Sequence, residues 1–524
     1  MPVLDTSSVV PASRDADSSF AQWFESKHAL ILTLAIFVAI FWTLLFFSFT
    51  ADDAFISFRY GKNLVLHHVW NWNAYGAREE AYTSALYTAL AVIPAFLHLP
   101  TVIFMKLVGL ACLGVILHRL RTLSSSRIAF LLGILVISLT PVVWMHIYSG
   151  LETPLYMVLI LEMAIAVSRS QETPPIWVYA LFLMLPLTRP EGFVFACAGV
   201  ILFWKGRGHA SKQLAWFGLA VFLGLFYFLA RWRYFHHPLP NPFYVKVTHE
   251  TLRDLIGELT TNLADYKGYI FPLVLVLLLS RRAVTRVFAL CSFLLLLLLF
   301  APHLMAMNFG ERFYVQLTLP IILLFFIAED IPRISRFAVT ITALFVLAFG
   351  PATVLLFAKY PANLGRAHFD LGKRLAPFAT NHHSMIVADV GGLPYYSDWF
   401  TYDFLGLGTN SIAQHGVSVA TLQQMHPDLI ILYNANPGPA LLQNGSWVGG
   451  SEQTGQALVQ YINQSGEYHY AASSKSNGFY LVEFLRNDTP QHDRILAALQ
   501  QNEVTSQVNL TLRRILLQKY LPSS

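Results

Sequence analysis

The chain has 524 residues, of which 55% are hydrophobic and only 12% are charged. Soluble domains carry about 25% charged residues, so the composition excludes an ordinary water-soluble protein and indicates a membrane protein. The net charge of +5 is spread over short segments without forming a basic face, which argues against nucleic acid as a partner.

Apolar runs of about 18 or more residues predict membrane-spanning helices, and such runs recur up to residue 358. We therefore predict an α-helical polytopic membrane protein. Its transmembrane helices, about eleven in number, are expected near residues 28–49, 101–118, 127–146, 152–168, 174–187, 190–204, 214–230, 267–280, 284–302, 313–328 and 336–358. Residues 83–98 are also apolar but short, so we predict a helix in the membrane interface; if they span instead, the number of spans rises to twelve or more.

Four connecting loops are rich in lysine and arginine, around Arg119, Lys205, Arg281 and Arg333. Short loops of this kind stay in the cytoplasm. The pattern predicts a cytoplasmic tail at residues 1–27 and a membrane domain at 28–358 with its first outer loop at 50–100. The predicted location is the cytoplasmic (inner) membrane.

Beyond about residue 359 the chain becomes more polar and short strands can be recognised. They are predicted at 384–389 and 428–433, with a hairpin formed by 468–473 and 479–485 around the tight-turn pair Asn477-Gly478. Residues 492–519 have the pattern of an amphipathic helix. We therefore predict that residues 359–524 form a small α/β domain outside the cytoplasm.

The cysteines Cys112, Cys197 and Cys291 all lie within apolar runs and lack the spacing of metal ligands. Buried small hydrophobic residues are the better interpretation. No metal site is predicted from them. A divalent metal remains possible at the acidic pair described next.

The acidic pair after the first apolar run is the strongest candidate for chemistry. Asp52 and Asp53 stand at the predicted membrane edge, followed by Arg59, Trp70 and Trp72. An acidic helix end with interfacial tryptophans is an ordinary membrane boundary. The functional interpretation is a carboxylate that takes a proton from a hydroxyl group, close to a cation that holds a phosphate.

Six short motifs in the predicted outer segments follow one another along the chain. They read DDAFISFRY from Asp52, YSGLETP from Tyr148, TRPEG from Thr188, LPNPFYVK from Leu239, ERF from Glu311 and DVGGLPY from Asp389. In this order they resemble the GT-C glycosyltransferases, most closely the branch of the mycobacterial terminal arabinofuranosyltransferases. The family pattern has Gly, Pro and Trp where this chain has Ala81, Ala85 and Tyr87, and Pro242 and Val245 also depart from it; these changes put the fit of the acceptor in doubt.

The resemblance implies a membrane enzyme that transfers a sugar from a polyprenyl-phosphate donor to a glycan, lipid or protein acceptor at the outer face. The phosphate of such a donor is already a stable leaving group. A base for the acceptor hydroxyl and cations for the phosphate therefore suffice.

The resemblance and this chemistry assign roles to residues in the motifs. Asp52 is predicted to be the base, with Asp53 as its partner. The predicted phosphate ligands are Arg59, Arg189, Arg312 and Lys246. The predicted sugar or acceptor contacts are Glu80, Tyr82, Glu152, Glu191, Asn241, Tyr244 and Tyr395. The alternatives are local ion pairs of Arg189 with Glu191 and of Arg312 with Glu311, and a helix-start charge for Glu152.

Two other functions stay open. A polytopic lipid or glycan transporter, or flippase, would place polar groups near the membrane midplane and often has two related halves. In this chain the motifs gather at one predicted face and no internal repeat is found. An inactive relative that serves as an assembly subunit is the third hypothesis, although the acidic pair and both arginines are intact.

Overall fold

The computed structural model describes residues 26–169, 176–205, 211–246, 270–299, 309–328, 336–340, 365–435, 437–438, 452–476 and 479–501. Helices make up most of the described chain up to residue 340. They are α1 His28–Phe46, α2 Ala54–His67, α3 Ala85–Leu90, α4 Val92–Phe96, α5 Thr101–Leu123, α6 Arg127–Leu139, α7 Pro141–Tyr148, α8 Thr153–Ser168, α9 Ile176–Thr188, α10 Gly192–Lys205, α11 Ser211–Phe235, α12 Asn241–Lys246, α13 Ile270–Leu279, α14 Ala283–Leu299 and α15 Arg312–Ala328.

The prediction of about eleven transmembrane helices is wrong. Within the described residues, three helices are long and apolar enough to cross a membrane: α1, α5 and the Gln213–Phe235 part of α11. A fourth crossing results if α6 and α7, which meet at a bend of 69°, count as one. The remaining apolar helices have 10–17 residues. At 1.5 Å per residue they are short for a hydrocarbon core of about 30 Å. The orientation of the loops was inferred from an alternation of about eleven spans, so it loses its basis.

Proline and glycine divide the apolar runs into these shorter helices. Thr140 is extended because it precedes Pro141, which begins α7. Gly192 begins α10 in close contact with the preceding helix, since a Cβ atom there would lie 2.3 Å from the carbonyl oxygen of Leu185. The apolar runs in the sequence are therefore real, but the prediction of membrane-spanning helices missed the breaks that divide them.

Residues 83–98 fold as two short helices, α3 and α4, that pack on α2. Gly61 of α2 permits this contact, because a Cβ atom there would lie 2.5 Å from the carbonyl oxygen of Ala91. The predicted helix in this segment is thus present in two pieces.

The α/β unit begins near residue 365 and contains a five-stranded sheet. Its strands are β1 Ser384–Val387, β2 Phe400–Asp403, β3 Leu429–Asn434, β4 Tyr468–Lys475 and β5 Tyr480–Arg486. The order is β2-β1-β3-β5-β4, with β1 parallel to β2 and β3, and β5 antiparallel to β3 and β4. Its α-helices are α16 Asp370–Leu375, α17 Gly392–Ser397, α18 Asn410–His415, α19 Val419–Met425, α20 Glu452–Ser465 and α21 His492–Gln500.

The predicted strands at 384–389 and 428–433 and the hairpin strands are confirmed. Strand β2 and helix α20 were not predicted. Of the predicted helix at 492–519, the part His492–Gln500 is present as α21, which ends at the extended Gln501. Residues 502–524 and the turn pair Asn477-Gly478 lie outside the described residues.

The sheet shares its core with the helical part. Buried residues from α2, the first loop and the end of α11 pack in the same cluster as the strands; they include Ile56, Tyr60, Trp72, Tyr82 and Phe235. This shared core fixes the first loop against the α/β unit.

Candidate functional site

A cavity of about 390 Å³ lies where the start of α2, the first loop and several helix ends meet. Its charged lining comes from Asp53, Glu152, Arg189, Glu191 and Arg312. Apolar and aromatic side chains form much of the remaining lining, among them Ile56, Tyr87, Leu151, Leu239, Pro240, Pro242, Phe243, Phe313 and Leu407. A charged lining next to apolar walls suits a ligand with a charged head and an apolar tail.

Asp53 and Arg312 face each other in this cavity. Asp53 directly precedes α2, and its side chain is 52% exposed. Arg312 is the first residue of α15 and is 6% exposed. The Asp53 Oδ2 and Arg312 Nη1 atoms are 3.7 Å apart, and Arg312 Nε has no hydrogen-bond partner in the described structure. Arg312 therefore has donor capacity left beside the cavity.

A tight turn positions Arg312. Gly310 and Glu311 before it have φ values of 55° and 58°, a conformation that is uncommon for residues other than glycine. The Gly310 carbonyl accepts a hydrogen bond of 2.7 Å from His146 Nε2. His146 of α7 thereby fixes the turn from which Arg312 enters the cavity.

Arg189 is held by two carboxylates. Its Nη1 donates to Glu152 and its Nε donates to Glu191, and its guanidinium carbon lies 5.3 Å from the centre of the Phe313 ring. The ion pair with Glu191, considered from the sequence as an alternative, is present. Arg189 is consequently less available to a phosphate than Arg312.

Asp52, predicted to be the base, does not line the cavity. Its Oδ2 accepts from the Gly391 amide at 2.9 Å, and its Oδ1 accepts from the Gly392 amide at 2.8 Å. Burial, together with nearby Asp389, raises the pKa of Asp52 to about 7. Sequence reasoning placed Asp52 and Asp53 at one centre, whereas the structure gives the two carboxylates different surroundings.

Arg59, a predicted phosphate ligand, also lies away from the cavity lining. It is 1% exposed. Its Nη2 donates to Trp399 O at 2.8 Å and to Asn73 Oδ1 at 3.0 Å, and its guanidinium carbon lies 4.5 Å from the centre of the Trp72 ring. Burial lowers the pKa of Arg59 to about 10. Its contacts join the first loop to the α/β unit.

We call the contacts of Asp52, Arg59 and Lys62 with the α/β unit the junction. Lys62 of α2 pairs with Asp398 at 3.1 Å and donates to the Tyr395 carbonyl at 3.0 Å. All three junction residues lie on α2 or just before it. Asp53 precedes the first residue of the same helix.

The other predicted sugar or acceptor contacts divide between the cavity and its supports. Tyr82 lines the cavity, and its hydroxyl accepts from Trp70 Nε1 at 3.1 Å. Glu80 pairs with Arg231 at 2.7 Å, and its carbonyl accepts from the Asn241 amide at 3.0 Å. Glu80 and Asn241 thus tie the first loop to the end of α11.

Two more predicted residues, Tyr395 and Tyr244, are not among those that line the cavity. Tyr395 packs on Phe55, with ring centres 5.2 Å apart. Tyr244 lies beside Phe243, with ring centres 6.1 Å apart. Lys246 ends α12, and its side chain falls outside the described residues.

Several lining residues were missed by sequence reasoning. Ser57, Thr83 and Ser84 contribute hydroxyl groups, and Phe313 contributes its ring. Each stands next to or within a motif that resembles the family pattern, so position in the motifs was the available signal. His146 had no such signal, because its role depends on the turn at Gly310.

The described residues contain no group of three or more His, Cys, Asp or Glu side chains arranged to hold a metal ion. Asp53, the acidic residue most open to the cavity, faces an arginine instead. The charged groups that line the cavity are therefore carboxylates and guanidinium groups.

Comparison with known proteins yields one domain match. Residues 362–485 match a family described as a domain of unknown function (DUF8728), a segment that covers β1 to β4 and most of β5. Among curated proteins and among solved structures, nothing matches the chain.

Proposed function

We propose that this chain is a membrane glycosyltransferase that takes a sugar from a polyprenyl-phosphate donor. The acceptor would be a cell-envelope glycan, lipid or protein at the outer face of the cytoplasmic membrane. The observation that carries the proposal is the 3.7 Å approach of Asp53 to Arg312 in a cavity with apolar walls. A carboxylate and a guanidinium group are what proton removal from a hydroxyl and phosphate binding require.

The surfaces of the long apolar helices support residence in a membrane. Along α11 the apolar side chains of Val221, Phe222, Leu225, Phe226 and Leu229 are each more than half exposed. An apolar helix that is left uncovered by protein is favoured in lipid rather than in water. The contact of Asp52 with Gly391 and Gly392 supports one shared compartment for the first loop and the α/β unit.

Phosphate binding would change the partner of Arg312. Arginine binds phosphate through two parallel hydrogen bonds, and Arg312 Nε has no hydrogen-bond partner in the described structure. The donor phosphate would compete with Asp53 for this guanidinium group. Asp53 would then be released to accept a hydrogen bond from the acceptor hydroxyl.

In the transfer step the acceptor oxygen forms a bond to the anomeric carbon of the sugar. The bond from that carbon to the phosphate oxygen breaks, and the phosphate keeps the electron pair. The hydroxyl proton passes to Asp53, whose half-exposed side chain can return it to water. Arg312 stabilises the charge that collects on the departing phosphate.

The other lining residues would hold the ends of the donor. Glu191 can accept hydrogen bonds from sugar hydroxyls while it fixes Arg189. Leu239, Pro240 and Phe243 offer an apolar surface for the isoprene units nearest the phosphate. This surface favours a lipid-linked donor over a water-soluble sugar nucleotide.

The proposal is tested with the purified full-length protein in lipid nanodiscs and a panel of polyprenyl-phosphate pentoses and hexoses, with envelope extract as acceptor. We expect release of polyprenyl phosphate and labelled glycan from at least one donor, and loss of both with Asp53→Asn. Glu467→Gln, a surface carboxylate of similar exposure at 50%, is the control. Equal release by the wild type and Asp53→Asn would reject Asp53 as the base. No release from any donor, or movement of intact donor across the bilayer, would reject the transferase.

A further inference from the structure

The order of the parallel strands defines a crevice in the α/β unit. Strand β1 lies between β2 and β3; the chain leaves β1 towards β2 and later crosses back to β3. In open α/β sheets, ligands bind beyond the carboxyl ends of the strands, where the connections diverge in this way. Here that place is the β1/β3 crevice, at residues 388–392.

A side chain from the helical part enters this crevice. Both carboxylate oxygens of Asp52 accept backbone hydrogen bonds there, from Gly391 at 2.9 Å and Gly392 at 2.8 Å. Tyr433 of β3 closes the other side, since its hydroxyl accepts from the Asp389 amide at 2.7 Å. The position that binds ligands in sheets of this order thus holds a carboxylate of the same chain.

The two glycines make this contact possible. A Cβ atom on Gly391 would lie 2.0 Å from the Asp52 carbonyl oxygen, and one on Gly392 would lie 2.1 Å from the Phe369 ring. Real Cβ atoms essentially never approach other atoms this closely. A larger residue at Gly391 would therefore push the Asp52 backbone out of place.

The backbone of Asp52 also begins the helix that carries Asp53. The Asp52 carbonyl accepts from the Phe55 amide at 3.0 Å, and the preceding Ala51 amide donates to the Ser149 carbonyl at 2.9 Å. A carboxylate fixed in the crevice consequently fixes the first turn of α2. Asp53 follows directly and points to Arg312.

We propose that the α/β unit is a positioning clamp, in which the β1/β3 crevice binds the Asp52 carboxylate and thereby keeps Asp53 directed at Arg312. Asp52 is a positioning residue in this account. The contact itself is independent of the reaction, and its effect on transfer rests on the proposed function. In this account, the domain matched at residues 362–485 binds the Asp52 carboxylate of the same chain as its ligand.

The test measures hydrogen exchange and transfer on the full-length protein in nanodiscs, for wild type, Asp52→Asn, Gly391→Ala and Gly365→Ala. Gly365 is the control because a Cβ atom there meets nothing within 4 Å. We expect faster exchange at residues 51–58 in the first two variants and wild-type exchange in Gly365→Ala. We also expect kcat to fall by about 10²-fold, with KM for the donor unchanged, because a small misplacement of a reacting group costs about that much.

The two measurements separate the clamp from the proposed function. Wild-type exchange rates at residues 51–58 in Asp52→Asn and Gly391→Ala would overturn the clamp. Faster exchange in both variants, in a protein that transfers no sugar from any donor, would support the clamp and reject the transferase. A change in KM for the donor with kcat unchanged would overturn the positioning role of Asp52.

Discussion

The cavity and the junction contain the same residue types in different states of hydrogen bonding. Arg59 in the junction is 1% exposed and its Nη2 donates to Asn73 and Trp399, whereas Arg312 is 6% exposed and lines the cavity, where its Nη1 lies 3.7 Å from the Asp53 carboxylate. The Nε atoms of both arginines lack a hydrogen-bond partner in the described structure. Both are buried arginines within the sequence motifs. Burial, charge and an unpartnered Nε are therefore common to both arginines, and the position of Arg312 in the cavity lining is what distinguishes it.

The adjacent aspartates show the same contrast. Asp52 uses both carboxylate oxygens on backbone amides, whereas the half-exposed Asp53 carboxylate lies 3.7 Å from Arg312 within the described residues. The first arrangement fixes structure and the second leaves a group free to react. The predictions below test this division, from the largest expected effect to the smallest.

Asp53→Asn is expected to lower kcat for transfer by about 10²- to 10⁴-fold, the usual contribution of a general base. Donor affinity is expected to rise, because the phosphate no longer competes with a carboxylate for Arg312. Steady-state kinetics and donor titration check both effects. Weaker donor binding with unchanged kcat would assign Asp53 to the donor rather than to the acceptor proton.

In the junction, Arg59→Met is expected to destabilise the protein by about 3 kcal/mol, because hydrogen bonds to a charged group are lost and their acceptors stay buried. Lys62→Met, which removes a partly exposed ion pair, is expected to cost about 1 kcal/mol or less. Thermal unfolding in detergent compares the two. Similar midpoints for both variants would show that Arg59 does not join the two parts of the molecule.

Arg312→Gln is expected to weaken donor binding by about 10- to 100-fold, the value of charge-assisted hydrogen bonds of about 1.5–3 kcal/mol. Arg312→Lys should lose less, because it keeps the charge but not the paired geometry. Titration with a polyprenyl-phosphate sugar measures the affinities, with the exposed Arg494→Gln as control. Unchanged affinity in both Arg312 variants would place the phosphate elsewhere.

The last expected effect is a pH dependence at the junction, seen as a change in the difference between two proteins. Folding raises the pKa of Asp52 from 3.8 to about 7. Between about pH 4 and pH 7, Asp52 therefore keeps its proton in the folded protein and loses it in the unfolded chain. Stability from this residue is then present below about pH 4 and is lost as the pH rises through 7. Asp52→Asn cannot titrate, so the melting temperature of the wild type should fall relative to this variant over that range, by about 4 °C.

The groups around Asp52 set the control for that experiment. Asp389, His368, Tyr433 and Asp53 interact electrostatically with its carboxylate. Burial alone would lower the pKa of His368, but the ion pair with Asp389 at 3.0 Å raises it. Because Asp52 itself contributes to the raised pKa of His368, the same comparison in a His368→Gln background separates the two titrations. A melting difference that stays constant from pH 4 to pH 7 would argue against a titrating Asp52.

Several elements of the fold could be predicted from the sequence because their patterns are local. The buried strands β1 and β3 are continuous apolar runs, and the hairpin has its turn pair. Strand β2 was missed because its four residues, Phe-Thr-Tyr-Asp, alternate aromatic and polar side chains and form no apolar run. Helix α20 carried a usable signal, since Leu458, Tyr461 and Ile462 follow helical spacing.

The number of membrane-spanning helices was overestimated because hydropathy measures composition and not helix continuity. A run such as 127–146 is apolar throughout, yet the chain bends by 69° between α6 and α7. Similarly, α15 is apolar but all its residues are buried within the protein. Such burial depends on partners that are distant in the sequence.

At the site, the sequence indicated the residue types but not the directions of the side chains. Asp53, Tyr82, Glu152, Arg189, Glu191 and Arg312 line the cavity as a set. Arg59 and Glu80 carry equally suggestive charges but face Trp399 and Arg231. The difference arises from tertiary contacts, which no motif records.

The most direct test of the central claim is to locate where the protein binds a polyprenyl phosphate. A photoactivatable polyprenyl phosphate, cross-linked to the full-length protein in nanodiscs and mapped by mass spectrometry, should label peptides that contain Leu239–Phe243 and Arg312–Phe313. Labelling should decrease in Arg312→Gln and persist in Arg59→Met. Labelling confined to other peptides, or equal labelling in the wild type and Arg312→Gln, would contradict a phosphate site in this cavity.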